Sequence, residues 1–458
     1  MSKLTIVKHA MWMLLPLLCV TLSGRHLCAE AAEFQWKARV SASEEYVKNT
    51  NLESDQDEDD WITLVGPGLT FTLKTQETEA RLDYDVRYAA YARDDANDTF
   101  RHFLTLTGLK GIPISEHLTL DLDESLQISE EPIELSQDVV SERRSRERYY
   151  RNTAGGRINY HFGEGDFLYA GFDHILLEND DPSVQDSQRY RPMAGITYWF
   201  DIRNGLSLDY SFTRGEFDES EAWGEFDESE DFDQHVARAT YTHRFSPRTQ
   251  ANLSYTYDSL DYQGIQKERI IGEEGFNQED YVVHTTSLGL SRQLTERLSG
   301  SISGGYYVWD REQSDDTSGF IGSASLDGTF PFEKGALTFN SSAGYRQQFF
   351  EAENLGFSKY RRVYATLSYR PLEKLTTSLS GLYQRDDYQE TDPDRKDSTW
   401  GGSGTVRYRL FDWLFASVGY TYRERASSVD ENDYQDSRII FTLDMEKSFV
   451  YVGEPKSI

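Results

Sequence analysis

Apolar and charged residues alternate along most of the chain. Residues 80–91 show the pattern: Ala80, Leu82, Tyr84, Val86, Tyr88 and Ala90 fall on one face, Arg81, Asp83, Asp85 and Arg87 on the other. Side chains alternate faces along a strand, so one face suits an apolar surrounding and the other faces water. The polar face carries charges of both signs, and similar stretches recur from about Phe34 to Phe449. This pattern predicts a membrane-spanning β-barrel with a wet interior.

Punctuation gives the strand count. Short turns are expected near Thr75–Thr78, Gly111–Ile114, Gly163–Gly165, Asp201–Asn204, Ser246–Thr249, Thr295–Arg297, Glu333–Gly335, Pro371–Lys374 and Phe411–Asp412. Gly, Pro, Asn and Asp make many of these positions turn-prone. Longer polar connections lie between them, at about 47–60, 131–148, 179–189, 215–233, 259–280, 310–318, 386–397 and 424–435. Short turns on one side and long loops on the other match the periplasmic turns and extracellular loops of outer-membrane barrels. The expected fold is all-β: a single antiparallel up-and-down transmembrane barrel of about 20 strands, with 18 the close alternative. Its termini are expected in the periplasm.

The aromatics fall where two interfacial belts need them. Strands running toward short turns carry Tyr160/Phe162, Tyr198/Phe200, Tyr241/Phe245, Tyr369 and Tyr408. Strands running toward long loops carry Tyr210/Phe212, Tyr255/Tyr257, Tyr306, Tyr345, Tyr383 and Tyr420/Tyr422. An apolar ring with a polar tip suits both membrane–water boundaries.

The N-terminus adds a targeting signal. Lys3 and Lys8 precede the apolar run Met11–Leu22, and Ala29-Glu30-Ala31 offers small residues at a cleavage spacing. Residues 1–31 read as a secretory signal peptide and 32–458 as the barrel. Cys19 and Cys28 both leave with the signal, so no disulfide or thiolate metal site is expected in the mature chain. The net charge of -31 argues against nucleic acid as a partner. Surplus acid gathers in the loops, where Gly215–Glu221 is duplicated as Gly224–Glu230. The seven later histidines (His102, His117, His161, His174, His235, His243 and His284) show no zinc-ligand spacing. No nucleophile elbow, phosphate loop or dinucleotide fingerprint appears. Neither enzymatic activity nor a cofactor or metal is expected.

The polar face supplies the candidate functional residues. With the apolar face toward lipid, the pore-lining cations are Lys37, Arg39, Arg81, Arg87, Arg151, Arg157, Arg238, Arg244, Arg362, Arg370, Arg407, Arg409 and Arg438. Acids on the same face are fewer: Asp83, Asp85, Asp121, Asp123, Asp173, Asp209, Asp327 and Asp444. A basic wall attracts anions. A barrel of this size, roughly 40 Å across, encloses an aqueous channel unless a loop folds in. Loops 131–148 and 259–280 are the longest candidates for that role.

Ala-Glu-Phe at 32–34 opens the first strand, aromatic-ended strands recur at Ile196–Phe200 and Val406–Leu410, and the loops are acidic. In these features the chain resembles the outer-membrane β-barrel porins found beside bacterial exopolysaccharide and exosortase-linked gene clusters. The basic lumen is similar in kind to that of the alginate exporter. The resemblance implies a channel in the outer membrane of a Gram-negative cell, exporting extracellular polysaccharide. Its implied partners are membrane lipid and periplasmic polysaccharide-export components. A diffusion porin for small anions, and a structural or adhesive barrel with cation-binding acidic loops, are the alternatives.

Overall fold

The computed structural model describes residues 33–52, 54, 58–75, 79–131, 133–135, 140–142, 147–180, 186–217, 231–263, 280–312, 314–329, 334–348, 356–389 and 395–452. The strands are β1 (Glu33–Val47), β2 (Asp60–Lys74), β3 (Glu79–Tyr91), β4 (Thr99–Ser115), β5 (Leu118–Ser129), β6 (Ile133–Leu135), β7 (Val140–Glu142), β8 (Tyr149–His161), β9 (Phe167–Asn179), β10 (Ser187–Trp199) and β11 (Asn204–Phe217). They continue as β12 (Phe232–Ser246), β13 (Thr249–Tyr262), β14 (Tyr281–Thr295), β15 (Leu298–Arg311), β16 (Thr317–Thr329), β17 (Gly335–Gln348), β18 (Gly356–Leu372), β19 (Leu375–Tyr388), β20 (Lys396–Phe411), β21 (Leu414–Ser427) and β22 (Tyr434–Val452). All but β6 and β7 join one 20-stranded sheet, while those two pair only with each other. Each barrel strand is antiparallel to its neighbours in sequence. The sheet closes on itself through β1 and β22, in register from Glu33↔Val452 to Val47↔Arg438. Closure pairs every barrel strand with a neighbour on each side, which is the condition for a spanning sheet.

The expected strand count is the observed one. Several turns form where the local chemistry placed them. The Ser246 and Thr295 hydroxyls accept from the Arg248 and Arg297 amides at 3.3 and 3.2 Å, and a register shift precedes each two-residue turn. The turn expected at Gly111–Ile114 is displaced: β4 runs to Ser115 and the chain reverses at Glu116-His117. Irregular pairing with β5 at Leu109, Ile112 and Pro113 absorbs the glycine and proline. Strands also run further than hydrophobic alternation suggests, from 12 residues in β5 to 19 in β22. Backbone pairing continues past the apolar band into segments whose outward residues are polar. Loops expected at 386–397 and 424–435 are correspondingly shorter, with β19 reaching Tyr388 and β21 reaching Ser427. The signal segment 1–31, the acidic duplication beyond Phe217 and most of 131–148 and 264–279 lie outside the described residues.

Candidate functional site

Contacts between strands that are not neighbours identify the inner face. The Tyr345 hydroxyl on β17 lies 3.0 Å from that of Thr285 on β14. Arg438 on β22 donates to Glu131, just beyond β5, at 2.7 Å. Only the interior of a closed barrel lets such strands meet. By strand alternation and register from Arg438, all thirteen cations named from the sequence share the inner face, while Val65, Phe172, Leu253, Leu288, Val406 and Phe441 stand exposed on the other.

Two wall compositions divide the inner face. From β20 through β22 and on to β10 the wall is charged. Lys37 pairs with Glu446 at 2.8 Å, and Arg407 lies 3.6 Å from Glu446 and 3.8 Å from Asp444. Arg39 bonds Asp85 across the intervening β2, and Arg87 sits 4.0 Å from the same carboxylate. Gly68 makes that crossing possible, since a Cβ there would fall 2.4 Å from Asp85 Oδ1. Arg81 bonds Asp83 at 2.5 Å. Arg157 stands over the Tyr169 ring at 4.4 Å, and Arg244 over Trp199 at 3.5 Å. Arg238 donates to Thr256 at 3.2 Å, and Arg362 lies 6.0 Å from the Tyr364 ring. Arg151 stands opposite Gln127 on β5. Arg370 and Arg409, toward the short-turn end, have no ion pair among the described residues.

From β13 to β17 the wall is mostly neutral and hydroxyl-lined. Ser303 and Ser323 bond at 2.7 Å, as do Ser301 and Ser325. Thr240–Ser254 and Ser380–Ser403 repeat the arrangement on flanking strands, at 2.8 and 2.7 Å. The short-turn mouth of this wall holds a groove of about 330 Å³ lined by Arg244, Arg248, Gln250, Ser299, Ser301 and Ser325.

Toward the long-loop end the lumen narrows. Inner residues near the short-turn end are open, with the Arg81 side chain 56% exposed, whereas those of Arg101 and Glu130 are 7% and 2% exposed. Two clusters occupy this end. One is ionic. Arg101 donates to Glu130 at 2.6 Å and pairs with Glu131 at 2.7 Å, while the Tyr91 hydroxyl also bonds Glu130 at 2.7 Å. Glu131 carries the network across the lumen to Arg438, which bonds Asp436 at 2.7 Å and lies 3.6 Å from Glu45. Beside it, Arg395 pairs with Asp397 at 2.9 Å, and Arg425 lies 3.6 Å from that carboxylate.

The other cluster is aromatic: Phe232, Leu260, Tyr262, Tyr281, Val283, Tyr307, Trp309 and Phe357. Its origin is a departure of the wall from itself. Pairing of β16 with β17 stops at Gly322↔Ala343, although β16 begins five residues earlier at Thr317 and β17 continues to Gln348. Tyr345 and Phe357 belong by alternation to the outer row of β17 and β18, with Val363 and Tyr369. Yet Phe357 is fully buried, stacked 3.9 Å from Trp309 at an interplanar angle of 9°. The tops of β17 and β18 therefore turn inward and lay their outer face on the inner face of β14 and β15.

The sequence pattern did not point to these clusters. Arg101, Glu130, Glu131, Arg395, Asp397, Arg423, Arg425 and Asp436 sit where strands merge into loops, and pattern alone assigns them to solvent. The inner acids Glu45, Asp258, Asp386, Asp397, Asp436 and Glu446 were also missed, so the basic surplus is narrower than the sequence suggests. Loop 131–148 enters the lumen at least at Glu131, its first residue. Among the described residues no group of His, Cys, Asp or Glu could hold a metal ion.

Residues 280–447 match the family described as "Putative beta-barrel porin 2". That stretch is just over a third of the chain, and the closed 20-stranded sheet is the β-barrel fold on which outer-membrane porins are built. No curated protein matches the chain. Among solved structures, Acinetobacter baumannii OccAB4 is 10% identical, with a TM-score of 0.38 over 91% of this chain and 98% of that one. Pseudomonas aeruginosa OccK7 (OpdD) is 9% identical, with a TM-score of 0.36 over 91% and 99%. The siderophore receptor PirA from Acinetobacter baumannii is 10% identical, with a TM-score of 0.48 over 90% and 80%.

Proposed function

We propose that the barrel passes an anionic, hydrophilic solute, and that its cargo is an acidic extracellular polysaccharide moving outward. The observation that carries this reading is the inner wall. Cations line one side from the short-turn mouth upward, and Arg370 and Arg409 have no ion pair among the described residues. Hydroxyls line the opposite side, where they can exchange hydrogen bonds with sugar hydroxyls as water does. Rings of Arg and Lys favour anions, and closely spaced polar contacts let a chain advance without any one contact holding it. In this reading the short turns and both termini are periplasmic and the long acidic loops extracellular. The open mouth then faces a periplasmic export machine. The ionic and aromatic clusters close the resting lumen at the cell surface and part when cargo passes.

The decisive experiment is bilayer conductance in asymmetric salt. The wild-type barrel should prefer anions, and replacing Arg362, Arg407 and Arg409 together by Glu should move the reversal potential toward cation preference. An unchanged reversal potential would sink the anion reading. Block of wild-type current by an alginate-type oligouronate, with no block by a neutral oligosaccharide of equal length, would favour the acidic-polymer reading over a small-anion porin.

A further inference from the structure

The outer face carries a cationic patch that the lumen reading does not use. Arg361 on β18 and Arg385 on β19 are directly opposite each other in register. Both lie on the outer row with Val363 and Tyr383, and both are exposed. Neither guanidinium has a hydrogen bond, ion pair or ring contact among the described residues. Like charges facing each other across a ladder are destabilising unless something lies between them. The surroundings do not neutralise the pair. Asp387 is the next outer residue on β19, but it faces Lys359 on one side and Lys396 on the other. Among the described residues four cations thus share one carboxylate, on a chain whose net charge is -31.

The patch also has a floor. Tyr383 lies one outer position below Arg385, toward the short-turn end, and stands 4.2 Å from the Trp400 ring on β20. Val363 stands level with them, opposite Tyr383, and the apolar Leu379 and Val406 lie below. Aromatic rings over an aliphatic band mark a membrane–water boundary, and a cation cluster immediately above such a boundary meets lipid headgroups.

We propose that Arg361 and Arg385 bind the phosphate of a membrane lipid, and specifically a phosphorylated glycolipid of the outer leaflet. A phosphate monoester seated between the two guanidiniums accepts paired N–H donors from each and removes their repulsion. Tyr383 and Trp400 then support the sugar ring and first acyl carbons. The assignment to the outer leaflet rests on the proposed orientation of the long loops; the phosphate chemistry does not.

Thermal unfolding of the detergent-solubilised full barrel tests this, read as loss of the compact electrophoretic form. Bis-phosphorylated lipid A should raise the wild-type midpoint, and lipid A stripped of both phosphates should not. The double variant Arg361→Gln, Arg385→Gln should lose the rise, yet in neutral detergent alone it should melt at or above the wild-type temperature. That reversal of sign separates a ligand site from ordinary damage to the wall. Arg361→Lys, Arg385→Lys keeps the charge but not the fork, and should retain only part of the rise. A full rise in the Gln variant, or an equal rise with dephosphorylated lipid, would overturn the proposal. An equal rise with phosphatidylglycerol, or with inorganic phosphate alone, would overturn the glycolipid assignment. Conductance plays no part in these readouts, so failure of the channel reading leaves them interpretable.

Discussion

The two clusters that narrow the long-loop end do the same job with opposite chemistry. The aromatic cluster is a folded-back piece of wall: Phe357 and Tyr345, built as lipid-facing residues, press instead on Trp309 and Tyr307. It gains mainly from burying apolar area, with the Tyr345–Thr285 hydroxyl contact beside it. The ionic cluster is a set of paired charges, with Arg101, Glu130 and Asp436 nearly inaccessible. Taking such charges out of water costs several kcal/mol per ion, which their pairing repays only when every partner is present. The aromatic side is therefore expected to be cohesive and tolerant of salt. The ionic side specifies one arrangement and is vulnerable to any missing member. A closure built of both can hold firmly on one side and release on the other.

Phe357→Ala should produce the largest effect. Removing a fully buried ring from a packed cluster costs about 3–5 kcal/mol, and here it also removes the contact that draws β18 inward. Single-channel recordings should show an open probability higher by orders of magnitude. An unchanged closed state would mean that the aromatic cluster does not hold the gate.

Arg101→Met comes next. It leaves Glu130 and Glu131 without their shared cation, a defect of the kind that costs about 3–5 kcal/mol when one partner of a buried pair is removed. Part of that should be recovered as Glu130 moves toward solvent. Channel opening should rise less than in Phe357→Ala. Removing the acids as well, in Arg101→Met, Glu130→Gln, Glu131→Gln, should restore some closure. If the triple variant is as open as the single one, unpaired charge is not the cause.

Salt separates the two sides directly. The Debye length falls to about 3 Å at 1 M ionic strength, so concentrated salt should loosen whichever parts of the ionic cluster water reaches, beginning with the Glu131–Arg438 pair, whose side chains are 17% and 14% exposed. Phe357→Ala, which relies on the ionic side alone, should therefore open further in high salt. Arg101→Met, which relies on the aromatic side, should respond little. Equal salt responses would erase the distinction.

How much of this was legible depended on which physical signal a residue leaves in the sequence. Alternation reports transfer between lipid and water, so Val86, Tyr88, Arg81 and Arg87 announce both their strand and their face. Turn chemistry reports itself through residues such as Ser246-Pro247, although the Gly111 and Pro113 pair marked a bulged strand end, because both residues serve bulges as well as turns. The inward fold of β17 and β18 leaves no such trace. Phe357 and Tyr345 look like ordinary outer-belt aromatics, and only the early end of β16–β17 pairing shows that they are not. The ionic cluster was hidden for a related reason. Glu130 and Glu131 continue an acidic loop in composition, and their burial depends on Arg101 and Arg438, hundreds of residues apart in the chain.

The smallest expected effect lies on the rim just above the ionic cluster. Asp59, in the loop before β2, accepts from the Tyr46 hydroxyl at 3.0 Å and pairs with Arg93 beyond β3, linking two neighbouring loops. The Tyr46 hydrogen bond, seconded by Arg93, holds the Asp59 carboxyl below the usual carboxylate range. A carboxylate more acidic in the folded state contributes its stabilisation above its ordinary pKa, and loses it as pH falls through the lowered value. Hydrogen exchange at the Arg93 amide and its neighbours should therefore speed up as pH is lowered through the acid range, beyond the intrinsic pH dependence of exchange. Asp59→Asn should remove that extra acid-dependent step while leaving conductance unchanged, because Asp59 is only partly buried and lies outside the buried network. A conductance change in Asp59→Asn would extend the ionic side of the closure out to the rim. The aromatic side would then be the only part of the gate insulated from pH.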